Sequence, residues 1–257
     1  MSAALTEVTE DAVLGGRLWL LQPRRGHRVG HDAILLAAAT GARAGERIAE
    51  LGAGVGAAGL AVAQRVGGVH VALVERDPAL AELAAENARR NGLAARVNVC
   101  ALDVRAPSAE LAAAGLPPQS MQRVLMNPPF LDPTRHNLSP DAQRRAAHAA
   151  PASDLRDWAH AAASLLVVGG RLTLIWRADA LAVVLDALAS DFGGAAILPV
   201  HPRGAAPAVR VLVRAEKGSR APLALHPGLI LNEASGEPTQ AAEAVLRQAA
   251  LLPLAEE

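Results

Sequence analysis

The chain has 257 residues, 51% of them hydrophobic, enough to bury the core of one large domain or of one domain with small additions. Acids and bases balance at 25 each, so no global field draws the protein to nucleic acid or to a membrane surface. The single cysteine, Cys100, excludes an internal disulfide and a cysteine-built metal site; no apolar run reaches a membrane span and no leader pattern opens the chain, so a soluble cytoplasmic protein is expected.

In chain order, residues 1 to 16 read as a loose start, Arg17 to Gln22 as a short amphipathic strand, and His31 to Thr40 as an apolar helix. From residue 46 the pattern alternates. Glu46 to Leu51 is a strand and Ala57 to Arg65 a helix; Val69 to Glu75 is a strand. Pro78 to Asn91 is a helix, with Asp77 as its N-cap and Gly92 as its stop. Arg96 to Leu102 and Arg123 to Met126 are further strands, and Cys100 falls in the first of them as a small buried hydrophobe. Ser153 to Val167 is a helix, Arg171 to Arg177 a strand and Leu181 to Ser190 a helix; Ala195 to Val200 and Ala208 to Ala215 form a closing hairpin. Thr239 to Ala250 is a tail helix. Such alternation predicts an α/β fold, a Rossmann-like doubly wound sheet of seven mostly parallel strands, with an antiparallel hairpin strand near its C-terminal end. The expected organisation is an N-terminal extension over residues 1–45 packing on the cofactor site, a main domain over 46–220, and a strand and helix extension over 221–257.

Met126-Asn127-Pro128-Pro129-Phe130 carries the most chemistry. Two prolines cannot continue a strand ladder, so the chain leaves the sheet there in a fixed shape. Asn127 then stands at the carboxyl end of a strand, where open α/β sheets hold their ligands. Its amide oxygen can accept hydrogen bonds from an amino group, and Phe130 can stack on a planar partner.

The first alternating strand runs into Glu50-Leu51-Gly52-Ala53-Gly54-Val55-Gly56-Ala57-Ala58-Gly59. Gly54, Gly56 and Gly59 satisfy the dinucleotide spacing, so a nicotinamide-dependent oxidoreductase competes here. Three features favour another ligand. Glu50 suits a cationic or amino-bearing group and repels a pyrophosphate. The glycines begin at Gly52, giving E-x-G-x-G-x-G, and a nicotinamide enzyme has no need of the later Asn-Pro-Pro-Phe turn. Glu75, at the end of the second strand, can accept both hydroxyls of a ribose under either reading. Asp103, after the third strand, suits an adenine edge or a plain surface turn.

With these residues the chain resembles the class I S-adenosylmethionine-dependent methyltransferases, in the branch that methylates amino groups. Glu50 to Gly56 matches that family's cofactor loop, Glu75 its ribose acid, Asp103 its adenine-side acid, and Asn127, Pro128, Pro129 and Phe130 its catalytic turn; many relatives have Tyr in place of Phe130. Val29-Gly30-His31-Asp32-Ala33-Ile34-Leu35-Leu36, His201-Pro202-Arg203, Val209 to Val213, Glu216-Lys217-Gly218, Leu229-Ile230-Leu231 and Glu233 to Thr239 are similar to segments of the bacterial tRNA adenine-N6 methyltransferases that modify a valine tRNA. The resemblance implies the class I methyltransferase fold, S-adenosyl-L-methionine as cofactor, Asp32 near the cofactor, and RNA, most simply tRNA, as substrate. Protein glutamine, the N2 of guanine in ribosomal RNA and small molecules are the alternative acceptors, since each offers a nitrogen conjugated to an sp2 centre.

Arg17, Arg24, Arg25 and Arg28 form one local excess of positive charge, and Arg203, Arg210, Arg214, Lys217 and Arg220 another; together they predict a basic face beside the pocket. Residues 131 to 150 follow the catalytic turn and contain Arg135, His136, Arg144, Arg145 and His148; a polar loop of this length reads as a lid over substrate. Substrate contacts are expected from Arg28, Arg135, Arg144, Arg145 and Arg203. No third ligand accompanies His136 and His148, so no metal site is expected. Leu246, Leu251, Leu252 and Leu254 in the tail leave monomer and homodimer both open.

Overall fold

The computed structural model describes residues 7–24, 28–129 and 154–256. The strands are β1 (Val8–Val13), β2 (Leu18–Pro23), β3 (Arg47–Leu51), β4 (His70–Val74), β5 (Val97–Cys100), β6 (Met121–Met126), β7 (Leu166–Arg177), β8 (Phe192–Arg203), β9 (Arg210–Lys217), β10 (Ala224–Leu225) and β11 (Leu229–Asn232). The helices are α1 (His31–Ala39), α2 (Ala57–Arg65), α3 (Pro78–Arg90), α4 (Ser108–Ala113), α5 over residues 154–165, α6 (Leu181–Leu188) and α7 (Gln240–Arg247).

The seven expected strands form the body of the central sheet in the order β8-β9-β7-β6-β3-β4-β5. β3 to β7 are parallel, and β9 runs antiparallel to both β7 and β8. Two short strands, β10 and β11, fall in the 221–257 stretch expected to add a strand and a helix; they pair parallel to successive parts of β8 and bring the sheet to nine strands. Each supplies only a few residues, below the length at which alternation can be recognised.

The sheet is covered on both faces, as a parallel sheet must be. Ile48, Val71, Leu73 and Leu125 face one apolar layer with α1, α2, α3 and α7; Ala49, Leu51, Val74, Val124 and Met126 face the other with α5 and α6. Cys100 is buried in the second layer, as its strand position requires. Asp77 caps α3 by accepting from Ala79 N–H, and Thr239 caps α7 by accepting from Ala242 N–H.

Residues 8–13 are not a loose start. They form a ladder with β2, a hairpin set apart from the main sheet. Val-Thr-Glu-Asp-Ala-Val has no apolar face to announce a strand, and its alternate side chains are exposed or half-buried. Asp11 secures it instead: its carboxylate accepts from Gln22 at 2.7 Å, Arg28 at 2.8 Å and Thr9 at 2.9 Å. These bonds, led by that of Gln22, hold Asp11 below the usual carboxylate range.

Candidate active site

Register gathers the site. Met126, Leu51, Val74 and Cys100 are partners across four adjacent parallel strands, so β6, β3, β4 and β5 end level with one another. The next residues, Asn127, Gly52 and Glu75, therefore leave the sheet side by side, with strands about 4.8 Å apart. β3 is the switch point, since the chain passes to β4 on one side and returns to β6 on the other.

The loop after β3 is shaped by glycine. Gly52, Gly54 and Gly56 have φ of +69°, +55° and +87°, the left-handed region that disfavours any Cβ. A Cβ on Gly54 would meet nothing within 4 Å, so the loop presents an open cradle there. A Cβ on Gly52 would lie 2.4 Å from the Trp158 ring. Trp158, on α5, thus packs directly on the loop. Sequence reading missed it, although a tryptophan in a chain with only three is a usable signal.

Glu50 is 4% exposed, and its Oε2 accepts from Gly59 N–H at 2.7 Å in the first turn of α2. Burial pushes its carboxyl up to about 8, against the pull of the Gly59 and Ala58 N–H groups and with a further push from the Glu75 charge. Glu75 is also buried; its Oε2 accepts from Gly54 N–H and its Oε1 from Asp77 N–H, each at 2.8 Å. It therefore ties the cradle to the start of α3. Asp103 is partly exposed and accepts from Arg105 N–H at 2.8 Å. That bond, with the Arg105 guanidinium, holds it below the usual carboxylate range. Asn127 is half-buried, Pro128 buried and Pro129 exposed. Phe130, Arg135, His136, Arg144, Arg145 and His148 lie outside the described residues, and with them the expected lid.

Asp32, in the first turn of α1, accepts from Arg210 Nε at 2.9 Å. Arg210 pairs with Arg177 at the carboxyl end of β7, so this ion pair stands on the same rim as Asn127. Arg203 ends β8 and is exposed.

Among the described residues, which leave out Arg25, the expected single basic face is not formed. Arg28 is bound to Asp11, Thr9 and the Pro23 carbonyl. Arg24 pairs with Glu7, while Arg17 and Arg214 donate to the Gln248 and Leu254 carbonyls. β9 divides the second cluster. Arg210 starts that strand at the site rim, and Lys217 ends it about 23 Å away at the other edge, donating to the Leu166 carbonyl. Closeness in sequence gave a false patch, because an extended strand carries neighbours in sequence to opposite ends of the sheet.

Among the described residues no group of three His, Cys, Asp or Glu comes together to hold a metal ion, and no helix is long and apolar enough to cross a membrane.

Comparison with known proteins agrees with this frame. Residues 28–198 match the family model described as the methyltransferase small domain. The structure of a predicted O-methyltransferase from Agrobacterium tumefaciens is 35% identical, with a TM-score of 0.73, over 86% of this chain and 98% of that one. A tRNA1(Val) (adenine(37)-N6)-methyltransferase of Porphyromonas gingivalis is 33% identical over 60% of each chain. One of the same name from Tolumonas auensis is 30% identical over 60% of this chain and 61% of its own. The chain thus spans about 60% of the length of these curated relatives.

Proposed function

The chain belongs to the methyltransferase small domain family, and from that membership we propose that it is an S-adenosylmethionine-dependent N-methyltransferase acting on the N6 amine of adenine in tRNA. One observation carries the reading: Gly52 and Asn127 follow the register partners Leu51 and Met126, so a glycine cradle and a rigid Asn-Pro-Pro turn open beside each other. A cofactor in the cradle lies within reach of an acceptor held by the turn.

When bound, S-adenosylmethionine supplies a methyl group activated by a positively charged sulfur. The cradle suits it: Gly54 leaves room, and Glu75 has lone pairs beyond the two used on Gly54 and Asp77 with which to accept ribose hydroxyls. Asp103 stands three residues beyond Cys100 at the rim, for the adenine edge. Glu50 acts from beneath, accepting from Gly59 N–H and so fixing the start of α2. The Asn127 oxygen and the Pro128 carbonyl accept the two N–H groups of the acceptor amine. That draws the nitrogen lone pair out of conjugation and aims it at the methyl, and no strong base is needed. Nitrogen is favoured over a hydroxyl because the turn offers acceptors and not a base. Phe130 stacks on the base, worth about 1–3 kcal/mol. RNA as the substrate is supported by the names of the curated relatives.

The test is methyl transfer from radiolabelled S-adenosylmethionine to total RNA, with total protein alongside, followed by nucleoside analysis. Label in N6-methyladenosine from tRNA is expected. Label only in protein moves the reading to glutamine, and label in ribosomal N2-methylguanosine moves it to guanine. Asn127→Ala is expected to lose transfer roughly a hundredfold or more with cofactor affinity nearly unchanged; equal activity overturns the role of the turn.

A further inference from the structure

β2 pairs with β1 along one edge only. Along the other it meets α3, where two side-chain amides take up the strand's backbone groups. Asn91 accepts from Trp19 N–H at 2.9 Å and donates to the Trp19 carbonyl at 2.7 Å. Asn87 accepts from Leu21 N–H at 2.7 Å and donates to the Leu21 carbonyl at 3.0 Å. Four residues of helix rise about 6 Å and two residues of strand about 6.8 Å, so asparagines at i and i+4 meet alternate strand residues. The two amides stand in for a missing strand.

Asn87 does more than Asn91. It is fully buried at 0% exposure, and Nδ2 carries a second proton. It donates that proton to the Val55 carbonyl at 3.0 Å. Val55 lies between Gly54 and Gly56, in the middle of the cradle. One amide therefore fastens the hairpin and the glycine loop together. Asn91, the C-cap of α3, makes its remaining bond to the Asn87 carbonyl at 2.8 Å, back onto the helix it ends.

We propose that Asn87 is a positioning residue for the cofactor: it holds Val55, and with it the glycine loop, in the binding shape, and it couples that loop to the N-terminal hairpin. The proposal rests on reading the loop as the seat of S-adenosylmethionine. The physical reason is entropic. A segment with three glycines is costly to order, and a bond fixing its centre meets that cost before ligand arrives. Coupling is reciprocal, so ligand in the loop also steadies β2.

The experiment measures S-adenosylhomocysteine binding by calorimetry, and Tm, for the full chain and for Asn87→Ala, Asn87→Asp and Asn91→Ala. Both Asn87 variants are expected to bind about tenfold or more weakly, since each loses the donor to Val55. Asn91→Ala breaks the Trp19 end and the bond to the Asn87 carbonyl but leaves the Val55 bond in place; it is expected to lower Tm and to change affinity by less than about threefold. Unchanged affinity in a folded Asn87 variant overturns the proposal, as does an equal loss in Asn91→Ala, which would assign the effect to hairpin stability alone. A wild-type chain that binds no S-adenosylhomocysteine overturns the cofactor reading itself, so the two failures are distinguishable. Hydrogen exchange of the wild type adds a test that needs no variant. Ligand is expected to slow exchange at the Leu21 amide; protection confined to residues 52–56 overturns the coupling.

Discussion

A carboxyl group under a helix N-terminus is ordinarily an anion, since the first-turn N–H groups and the helix dipole favour negative charge. At Glu50 burial wins over both, and the carboxyl rises to about 8. Folding then raises its proton affinity, so its contribution to stability is complete below the ordinary value of 4.5 and is lost as pH climbs through about 8. Glu50→Gln keeps an acceptor for Gly59 N–H and carries no charge at any pH. The expected outcome is a Tm that falls less than the wild type's between pH 5 and pH 8.5, measured by scanning calorimetry; parallel curves would show that Glu50 stays charged in the fold. At this scale the sequence was readable for identity but not for partners. Glu50, Glu75 and Asp103 stand where the loop pattern put them. That Glu50 meets Gly59, and that Asn87 meets Val55, depends on how α2 and α3 lie on the sheet, which no spacing in the chain specifies.

The β3–α2 turn and the first turn of α2 allow three glycines to be told apart. A Cβ at Gly59 would come 2.5 Å from Leu73 Cδ2 and 2.8 Å from Glu50 Oε2. Gly59→Ala is therefore expected to cost roughly 1–3 kcal/mol from overpacking alone. Gly54→Ala meets empty space and carries only the left-handed penalty, about 1–2 kcal/mol, yet its methyl would enter the cradle. It is expected to keep most of its stability and lose S-adenosylhomocysteine binding, whereas Gly59→Ala loses stability first. Gly52→Ala combines positive φ with collision against Trp158 and is expected to be the least stable of the three; urea unfolding ranks them. Element type was legible from periodicity across β3 to β9, and α2 matches its expected span of Ala57 to Arg65. The misses share a cause. β1 has no apolar face, β10 and β11 are too short to be placed within the expected 221–257 extension, and α4 is a six-residue helix after Pro107. Each is fixed by contacts with other elements and not by a pattern of its own.

At the scale of the whole molecule, three arginines clamp the C-terminal segment. Arg17, Arg65 and Arg214 donate to the Gln248, Ala249 and Leu254 carbonyls, and Leu252 N–H donates to the Ala38 carbonyl. The C-terminal segment is so bound into the α1 layer, and Leu252 and Leu254 are spent there; Leu251 alone of the tail leucines is well exposed. Leu254→Ala is expected to cost about 2–5 kcal/mol in urea unfolding, as for a core residue. A loss under 1 kcal/mol would mean that the tail is only loosely seated. Strand order has a last consequence, for assembly on the ribosome. β9 lies between β7 and β8 in the sheet but after both in the chain. When β8 emerges its place beside β7 is adjacent but wrong, because the two must be held apart for a strand not yet made. β7 thus presents an open edge until residue 217 has been synthesised and released from the tunnel, and a nascent chain stalled before that point is a template for mispairing.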